Sequence, residues 1–233
     1  MLCRTQRAYI GEILHIFQFI SKPKLSKDRF EEAKRALDLI QKVEKWPEDI
    51  VVPLYWIEAV MHFTAGKAIQ EISERSVDVI EVVLSHYNIA LDIFLKDQPS
   101  YEGAFCCAQA ADTYMDRQEG LRSENINAAI QLYNFAITYF SEINAEENLL
   151  QAKVHLATAY LEFEDASIPL NIEKGIAELI DVLPLLSRFK DKDIYFKEIY
   201  CSALVNLADA YSRRIHGSGL QNKKMRLFCL ALY

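Results

Sequence analysis

The chain has 233 residues and a formal net charge of −7, and 51% of its residues are hydrophobic and 25% charged, which is a folded globular composition rather than a disordered one. Its seven glycines and six prolines are about half the usual share, so collagen, low-complexity linkers and turn-rich β-sandwiches are disfavoured and long helices are favoured. Five cysteines, an odd number without a CxxC pair, indicate reduced thiols in a cytoplasmic protein.

The first apolar segment of the chain, residues 8–20, predicts a helix in which Glu12 and His15 interrupt the apolar run. The segment is too short to span a bilayer at 1.5 Å per residue, and it lacks the small-residue cleavage site of a signal peptide. Glu12 and His15 have the spacing of a di-iron ligand pair, but such sites need a second copy, which the sequence lacks. We therefore expect a soluble protein without a membrane segment.

Three similar segments, CAQAADTY, KVHLATAY and LVNLADAY, repeat along the chain and end at Tyr114, Tyr160 and Tyr211. The tyrosines are 46 and 51 residues apart, and a second apolar element follows each of them at the same distance of 16 residues. Both elements carry apolar residues at helical spacing, and small residues beside the large ones allow close approach of two helices. The repeating unit is therefore a helix pair, and stacked copies predict an all-α solenoid of antiparallel helix pairs.

The two elements resemble helix A and helix B of a tetratricopeptide repeat (TPR). In one copy Leu156, Ala157 and Tyr160 match the Leu, small residue and Tyr of helix A. The full repeat signature consists of Ala110, Ala111, Tyr114, Leu156, Ala157, Tyr160, Leu207, Ala208 and Tyr211. The resemblance implies a right-handed superhelix in which the tyrosines pack between helices. We therefore predict that Tyr160→Ala lowers the free energy of unfolding by a few kcal/mol.

The spacing predicts a single repeat array over residues 1–233. Its approximate units are 1–45 and 49–96, which are degenerate, then 101–142, 147–188 and an incomplete unit at 195–233. The long period resembles that of the long-repeat TPR proteins of cyanobacteria and other bacteria, whose arrays often precede a caspase-like CHAT peptidase domain. Leu227 falls in the middle of the last predicted helix. We expect either a fragment of a longer protein, which we favour, or a degenerate short gene product, and self-association through the unfinished helix.

The charges are distributed unevenly, with +4 in residues 1–45, −16 in residues 46–212 and +5 in residues 213–233. The acidic centre argues against nucleic-acid binding, which needs a positive surface. In the TPR family the helix A side lines a concave groove, and the outward positions there are Asp112, Asp116, Thr158, Glu162, Asp209 and Arg213. A largely acidic groove favours a basic peptide. The alternative is that the same residues are simply solvated surface charges. The family's clamp for C-terminal carboxylates needs Lys, Arg and Asn, which this groove lacks.

The sequence motifs that resemble catalytic or ligand-binding sites are incomplete. Gly66-Lys67 resembles the end of a phosphate-binding loop but lacks its first glycine and its Ser/Thr. The adjacent Cys106 and Cys107 lie among alanines on a predicted helix A, which suits packing better than nucleophilic catalysis. The histidines show no metal-ligand spacing. We therefore predict no catalytic residue, no cofactor and no metal, and a chain that is not an enzyme.

The sequence thus favours a protein–protein interaction scaffold that binds a partner peptide or helix in its concave groove. The first alternative keeps the fold and makes the chain the sensor or regulatory region of a larger CHAT-type peptidase. The second is a helical enzyme or a metal-binding protein that uses the histidines.

Overall fold

The computed structural model describes residues 3–20, 22, 25–74, 76–164, 168–192, 194–214 and 219–232. Within these ranges the chain is helical and has no strand, so the all-α prediction is confirmed. The ten helices found there are α1 (Arg4–Phe19), α2 (Ser26–Ile40), α3 (Leu54–Ile72), α4 (Val77–Phe94), α5 (Tyr101–Asp116), α6 (Arg122–Glu142), α7 (Glu146–Glu162), α8 (Ile168–Leu186), α9 (Ile194–Arg213) and α10 (Gly219–Leu232).

The chain divides into two compact units, Met1–Gln118 with helices α1 to α5 and Glu119–Tyr233 with helices α6 to α10. Within each unit every helix packs against the next one in the chain, and the connections between them are short except the one at 41–53 between α2 and α3. Short connections between packed helices make them antiparallel neighbours. Helices two apart also touch, α3 with α5 in the first unit and α7 with α9 in the second. The boundary between the units lies between the two helices of the predicted repeat at 101–142.

The first unit is held together by apolar side chains from successive helices. Ile13, Ala36 and Met61 belong to one buried cluster formed by α1, α2 and α3. Further along, α3 and α4 approach closely at Gly66, where an added Cβ would lie 2.8 Å from Cε1 of Tyr87. A glycine at this point lets the two helix backbones come together over a fully buried aromatic ring.

The second unit has its main core between α7, α8 and α9, where Leu150 and Leu179 are among the largest fully buried side chains. The sequence predicts that Pro184 kinks or ends its helix, since proline lacks the N–H that helix geometry requires. The helix α8 contains Pro184 and ends at Leu186. Gly175 brings α8 onto α7, because an added Cβ would lie 2.7 Å from Cδ2 of Leu161.

Candidate partner-binding face

Four of the six predicted groove residues lie on α7 and α9, which pack side by side in the second unit. Asn206 Nδ2 donates a hydrogen bond of 2.9 Å to Thr158 Oγ1, and Thr158 Oγ1 donates to the Val154 carbonyl. Thr158 therefore lies at the seam between the two helices. One turn later Glu162 is exposed and accepts a hydrogen bond of 2.6 Å from Arg122 Nη2.

The other two residues of this group, Asp209 and Arg213, are one turn apart on α9. Their Oδ2 and Nη1 atoms are 3.5 Å apart, Asp209 is exposed and Arg213 is half-buried. A solvated pair of this kind is worth only about 0.3–0.5 kcal/mol, so either charge can exchange its partner for a group on another molecule at little cost.

A cavity of about 560 Å³ opens where α6 begins and α7 ends. It is lined by Leu121, Arg122, Ser123, Ile126, Leu161, Glu162, Glu164 and Arg213. Ile126 and Leu161 are buried and form an apolar floor, whereas Leu121 is 62% exposed at the edge. The structure therefore brings Glu162 and Arg213 to one cavity, while Thr158 and Asp209 do not line it.

The remaining two predicted residues, Asp112 and Asp116, lie on α5 in the first unit. Asp112 is half-buried and accepts a long hydrogen bond of 3.5 Å from Gln109 Nε2. Asp116 is exposed at the last position of α5 and borders a small cavity together with Gln70 and Thr113.

The helical layout has a counterpart among solved structures. A crystal structure of nearly identical TPR-like repeats from a Podosopora anserina protein, described as a kinesin light chain, matches 99% of this chain and 96% of its own with a TM-score of 0.57. The chain has the fold of TPR-like repeats. The sequence identity is 10%, so the likeness extends to the fold alone. No protein-family model and no curated protein matches the sequence.

The predicted α-solenoid of helix pairs is thus confirmed as a fold, and the residues of the TPR-like signature can be placed in it. The six small or leucine members of the signature are all buried: Ala110, Ala111, Leu156, Ala157, Leu207 and Ala208. The tyrosines differ, since Tyr211 is 4% exposed and Tyr114 and Tyr160 are half-buried. Beside Tyr160 the ammonium of Lys174 lies 5.2 Å from the ring centroid, over the face of the ring.

The half-burial of Tyr160 reduces the destabilisation expected from its removal. Tyr160→Ala is expected to lower the free energy of unfolding by about 1–2 kcal/mol, because only part of the ring leaves an apolar environment. Urea unfolding followed by far-UV circular dichroism measures the change. An unchanged unfolding curve would contradict the repeat register that places this tyrosine between helices.

The sequence reasoning missed a repeated polar position near the start of helix B. Asn125, Asn171 and Asn222 are buried, and their Nδ2 atoms donate to the carbonyls of Glu119, Phe163 and Arg214 at 2.8, 3.2 and 3.1 Å. Each asparagine thereby holds the connection that leaves the preceding TPR-like helix. The three are 46 and 51 residues apart, as the signature tyrosines are, so the alignment of the repeats contained the signal.

Two arginines near the ends of TPR-like A helices also went unnoticed. Arg117 donates to both carboxylate oxygens of Glu81 at 2.7 and 2.8 Å, and Arg214 does the same to Glu173. The hydrogen bond from Arg117 lowers the pKa of Glu81, and the one to Glu173 raises the pKa of Arg214. Each arginine follows a signature tyrosine by three residues. These two glutamates are therefore engaged within the fold and add little to an acidic partner-binding surface.

The two adjacent cysteines have little thiolate character. Cys106 and Cys107 are fully buried on α5, and burial raises the pKa of both thiols, that of Cys107 to about 12. A thiol protonated at neutral pH is a poor nucleophile, which fits packing better than catalysis.

Over the part of the chain that the structure describes, no three His, Cys, Asp or Glu side chains converge on a point that could hold a metal ion. The helices described there include none with the length and apolar character needed to cross a bilayer.

Proposed function

We propose that the chain is a protein–protein interaction module that binds a partner peptide or helix on the α7 and α9 side of its second unit. The observation that carries the proposal is the cavity beside these two helices, which combines an apolar floor with a charged rim. TPR-like solenoids present extended surfaces of this kind, and peptide recognition commonly uses one apolar anchor with flanking polar contacts.

The cavity suits one apolar side chain from the partner. Ile126 and Leu161 supply the buried floor, and the exposed Leu121 supplies an apolar edge that a bound side chain would cover. Burying apolar surface contributes about 25 cal/mol per Å², so the anchor supplies affinity. The charged rim then sets the orientation of the bound segment and the rate of association.

The charges favour a basic partner. Arg122 already neutralises Glu162, but Glu164 is exposed at the cavity. Asp209 is exposed one turn before Arg213, and it can exchange this weak partner for a cation of the bound segment. Lysine or arginine residues that flank the anchor would pair with these two carboxylates. Such exposed pairs are screened by salt, so the preference for a basic segment is strongest at low ionic strength.

Reversing these two charges is expected to weaken binding of a basic peptide by about tenfold at low salt. Fluorescence anisotropy measures the affinity of a labelled Lys/Arg-rich peptide with a central leucine, for the native chain and for the double variant Glu164→Lys, Asp209→Lys. A matched control is Glu142→Lys, Asp191→Lys, which makes the same change in net charge at exposed positions away from the cavity. An acidic peptide of equal length tests the sign of the preference.

Equal loss of affinity in the two double variants would show that only the overall charge matters and would contradict this site. Equal affinity for basic and acidic peptides would contradict the preference for a basic partner. An affinity that does not change with salt concentration would also contradict the preference for a basic partner.

The resemblance to long-repeat TPR proteins supports a second candidate function, in which the chain is a regulatory TPR-like region of a larger CHAT-type peptidase. The observation in its favour is the long repeat period, which appears both in the signature tyrosines and in the buried asparagines at intervals of 46 and 51 residues. The test is the reading frame around the gene, where a downstream domain with a catalytic His and Cys is expected. A complete frame without such a domain would exclude this candidate.

We also propose that the chain is located in the cytoplasm. Cys3, Cys106, Cys107 and Cys201 are free thiols in the structure, as expected of a protein from a reducing compartment.

A further inference from the structure

Two histidine side chains meet between α3 and α4 in the first unit. The Nδ1 atoms of His62 and His86 are 2.9 Å apart, and the ring centroids are 5.1 Å apart with the planes tilted by 44°. Both side chains are half-buried, so solvent reaches the pair. The residues are 24 positions apart in the sequence, and therefore no local spacing motif signals them.

The position of the pair is set by the close contact of the two helices. An added Cβ on Gly66, one turn after His62, would lie 3.3 Å from Cβ of His86 and 2.8 Å from Cε1 of Tyr87. Tyr87 is completely buried and donates a hydrogen bond of 3.0 Å to Gln70 Oε1 of α3. Packing thus holds the two imidazoles on neighbouring, fully formed helices, which is the kind of preorganisation that ligand sites require.

Both rings have the charge state in which imidazole binds metal ions. Burial and the neighbouring His86 lower the pKa of His62 to about 4, and burial lowers the pKa of His86. At neutral pH both imidazoles are therefore uncharged. One ring donates its Nδ1–H to the Nδ1 lone pair of the other, and each uncharged ring has one nitrogen lone pair that can bind a hydrogen-bond donor or a metal ion.

We propose that His62 and His86 form a binding site for one divalent transition-metal cation of the zinc or copper class, ligated by the two Nδ1 atoms. Imidazole nitrogens bind such cations at about 2.0–2.1 Å, which places neighbouring ligands about 2.9 Å apart in square geometry and about 3.3 Å apart in tetrahedral geometry. The observed separation of 2.9 Å matches the first spacing, and the centroid separation of 5.1 Å shows that the rings meet nearly head-on, so both rings must turn for their lone pairs to converge on the cation. Within the described ranges no third His, Cys, Asp or Glu joins the pair, so water completes the coordination.

Binding at both Nδ1 atoms has a defined proton balance. The ring that donates the N–H in the metal-free pair loses its Nδ1 proton and gains one at Nε2 from solvent, and the other ring already carries its proton at Nε2. Both rings stay neutral, so the cation binds without net release of protons from the pair. The site lies in the first unit and shares no residue with the cavity, which is lined by residues of the second unit, so it does not depend on the proposed partner binding.

Isothermal titration of the full chain with Zn²⁺ at pH 7 tests the site. Cys3, Cys201 and Cys229 are replaced by serine first, because thiols compete for the same cations. One ion per chain is expected, and His62→Gln or His86→Gln is expected to lower the affinity by about tenfold or more, since each removes one of two ligands. His155→Gln is the matched control, because His155 is a half-buried helical histidine beside Tyr133 in the other unit.

Electron paramagnetic resonance of the Cu²⁺-loaded chain gives a second measurement that needs no ligand variant, and coupling to two imidazole nitrogens is expected. If both glutamine variants lose the circular dichroism signal of the folded chain, the resonance spectrum of the Cu²⁺-loaded parent decides whether the site exists. Coupling to fewer than two nitrogens, no binding of either cation, or equal affinity in the glutamine variants and the parent would overturn the proposal. The last result would identify the pair as a hydrogen bond between neutral rings only.

Discussion

Replacing Tyr87 with alanine is expected to lower the free energy of unfolding by about 3–5 kcal/mol, the range for removal of a large buried aromatic side chain. The ring of Tyr87 is completely buried against Gly66, and its centroid lies 5.9 Å from that of Phe63. The ring lies against the backbone of Gly66, which has no side chain that could move into the space. The cavity would therefore persist between α3 and α4.

The variant Tyr87→Phe separates the packing of this ring from its hydroxyl. It keeps the aromatic volume and removes only the hydrogen bond of 3.0 Å to Gln70, which is worth about 1 kcal/mol. Burial raises the pKa of the Tyr87 hydroxyl, so the group stays protonated and remains a donor across the accessible pH range. Equal losses in the two variants would show that the hydroxyl, rather than packing, stabilises this helix pair.

Tryptophan fluorescence makes this measurement specific for one unit. The two tryptophans of the chain, Trp46 and Trp56, both belong to Met1–Gln118. Trp56 packs edge-on against Phe94 with centroids 4.9 Å apart, and Trp46 Nε1 donates to the Val52 carbonyl at 3.1 Å. The fluorescence midpoint in urea is expected to fall in Tyr87→Ala, while circular dichroism follows the whole chain. A fluorescence midpoint that does not move would contradict the packing of α4 on α3.

A glycine-to-alanine exchange is expected to have opposite effects in two helices. Alanine is favoured over glycine in a helix interior by about 1 kcal/mol, so Gly11→Ala should stabilise the chain by up to this amount, since nothing lies within 4 Å of an added Cβ there. Gly175→Ala should instead lower the free energy of unfolding by about 1–3 kcal/mol, the usual cost of overpacking.

The physical reason lies in the contact between α8 and α7. A Cβ on Gly175 would be 2.7 and 2.8 Å from Cδ2 and Cγ of Leu161 and 3.2 Å from the carbonyl oxygen of Ala157. Leu161 is 5% exposed, and the carbonyl belongs to the backbone of α7. The added methyl group therefore requires the buried Leu161 side chain to leave its packed position and α7 to move back from α8. Urea unfolding by circular dichroism compares both variants with the parent, and stabilisation by Gly175→Ala would contradict the close approach.

The requirement for glycine at position 175 could not be predicted from the sequence. The repeat register aligns Gly175 with Ala129, so the repeat itself tolerates a methyl group there. The requirement for glycine follows from the distance between α7 and α8, which no single helix encodes. The apolar spacing, in contrast, predicted the helix pairs, because a side chain every three or four residues must face the same neighbour.

The geometry of the candidate face likewise depends partly on spacing along single helices and partly on how helices pack. Register along one helix places Thr158 with Glu162 and Asp209 with Arg213, since residues four apart share a face. That Arg122 pairs with Glu162, 40 residues away, depends on how α6 and α7 meet. The cavity with its buried floor of Ile126 and Leu161 arises at the same junction and has no local sequence pattern.

The sequence by itself determined that this protein is a series of TPR-like helix pairs, with buried small residues, spaced tyrosines and an acidic central part. The tertiary structure decided which of those charges are engaged within the fold, since Arg117 and Arg214 pair with Glu81 and Glu173. It also decided that His62 and His86 meet. Helix formation depends on neighbours within about four residues, whereas these contacts depend on interhelical distances that are set by packing across tens of residues.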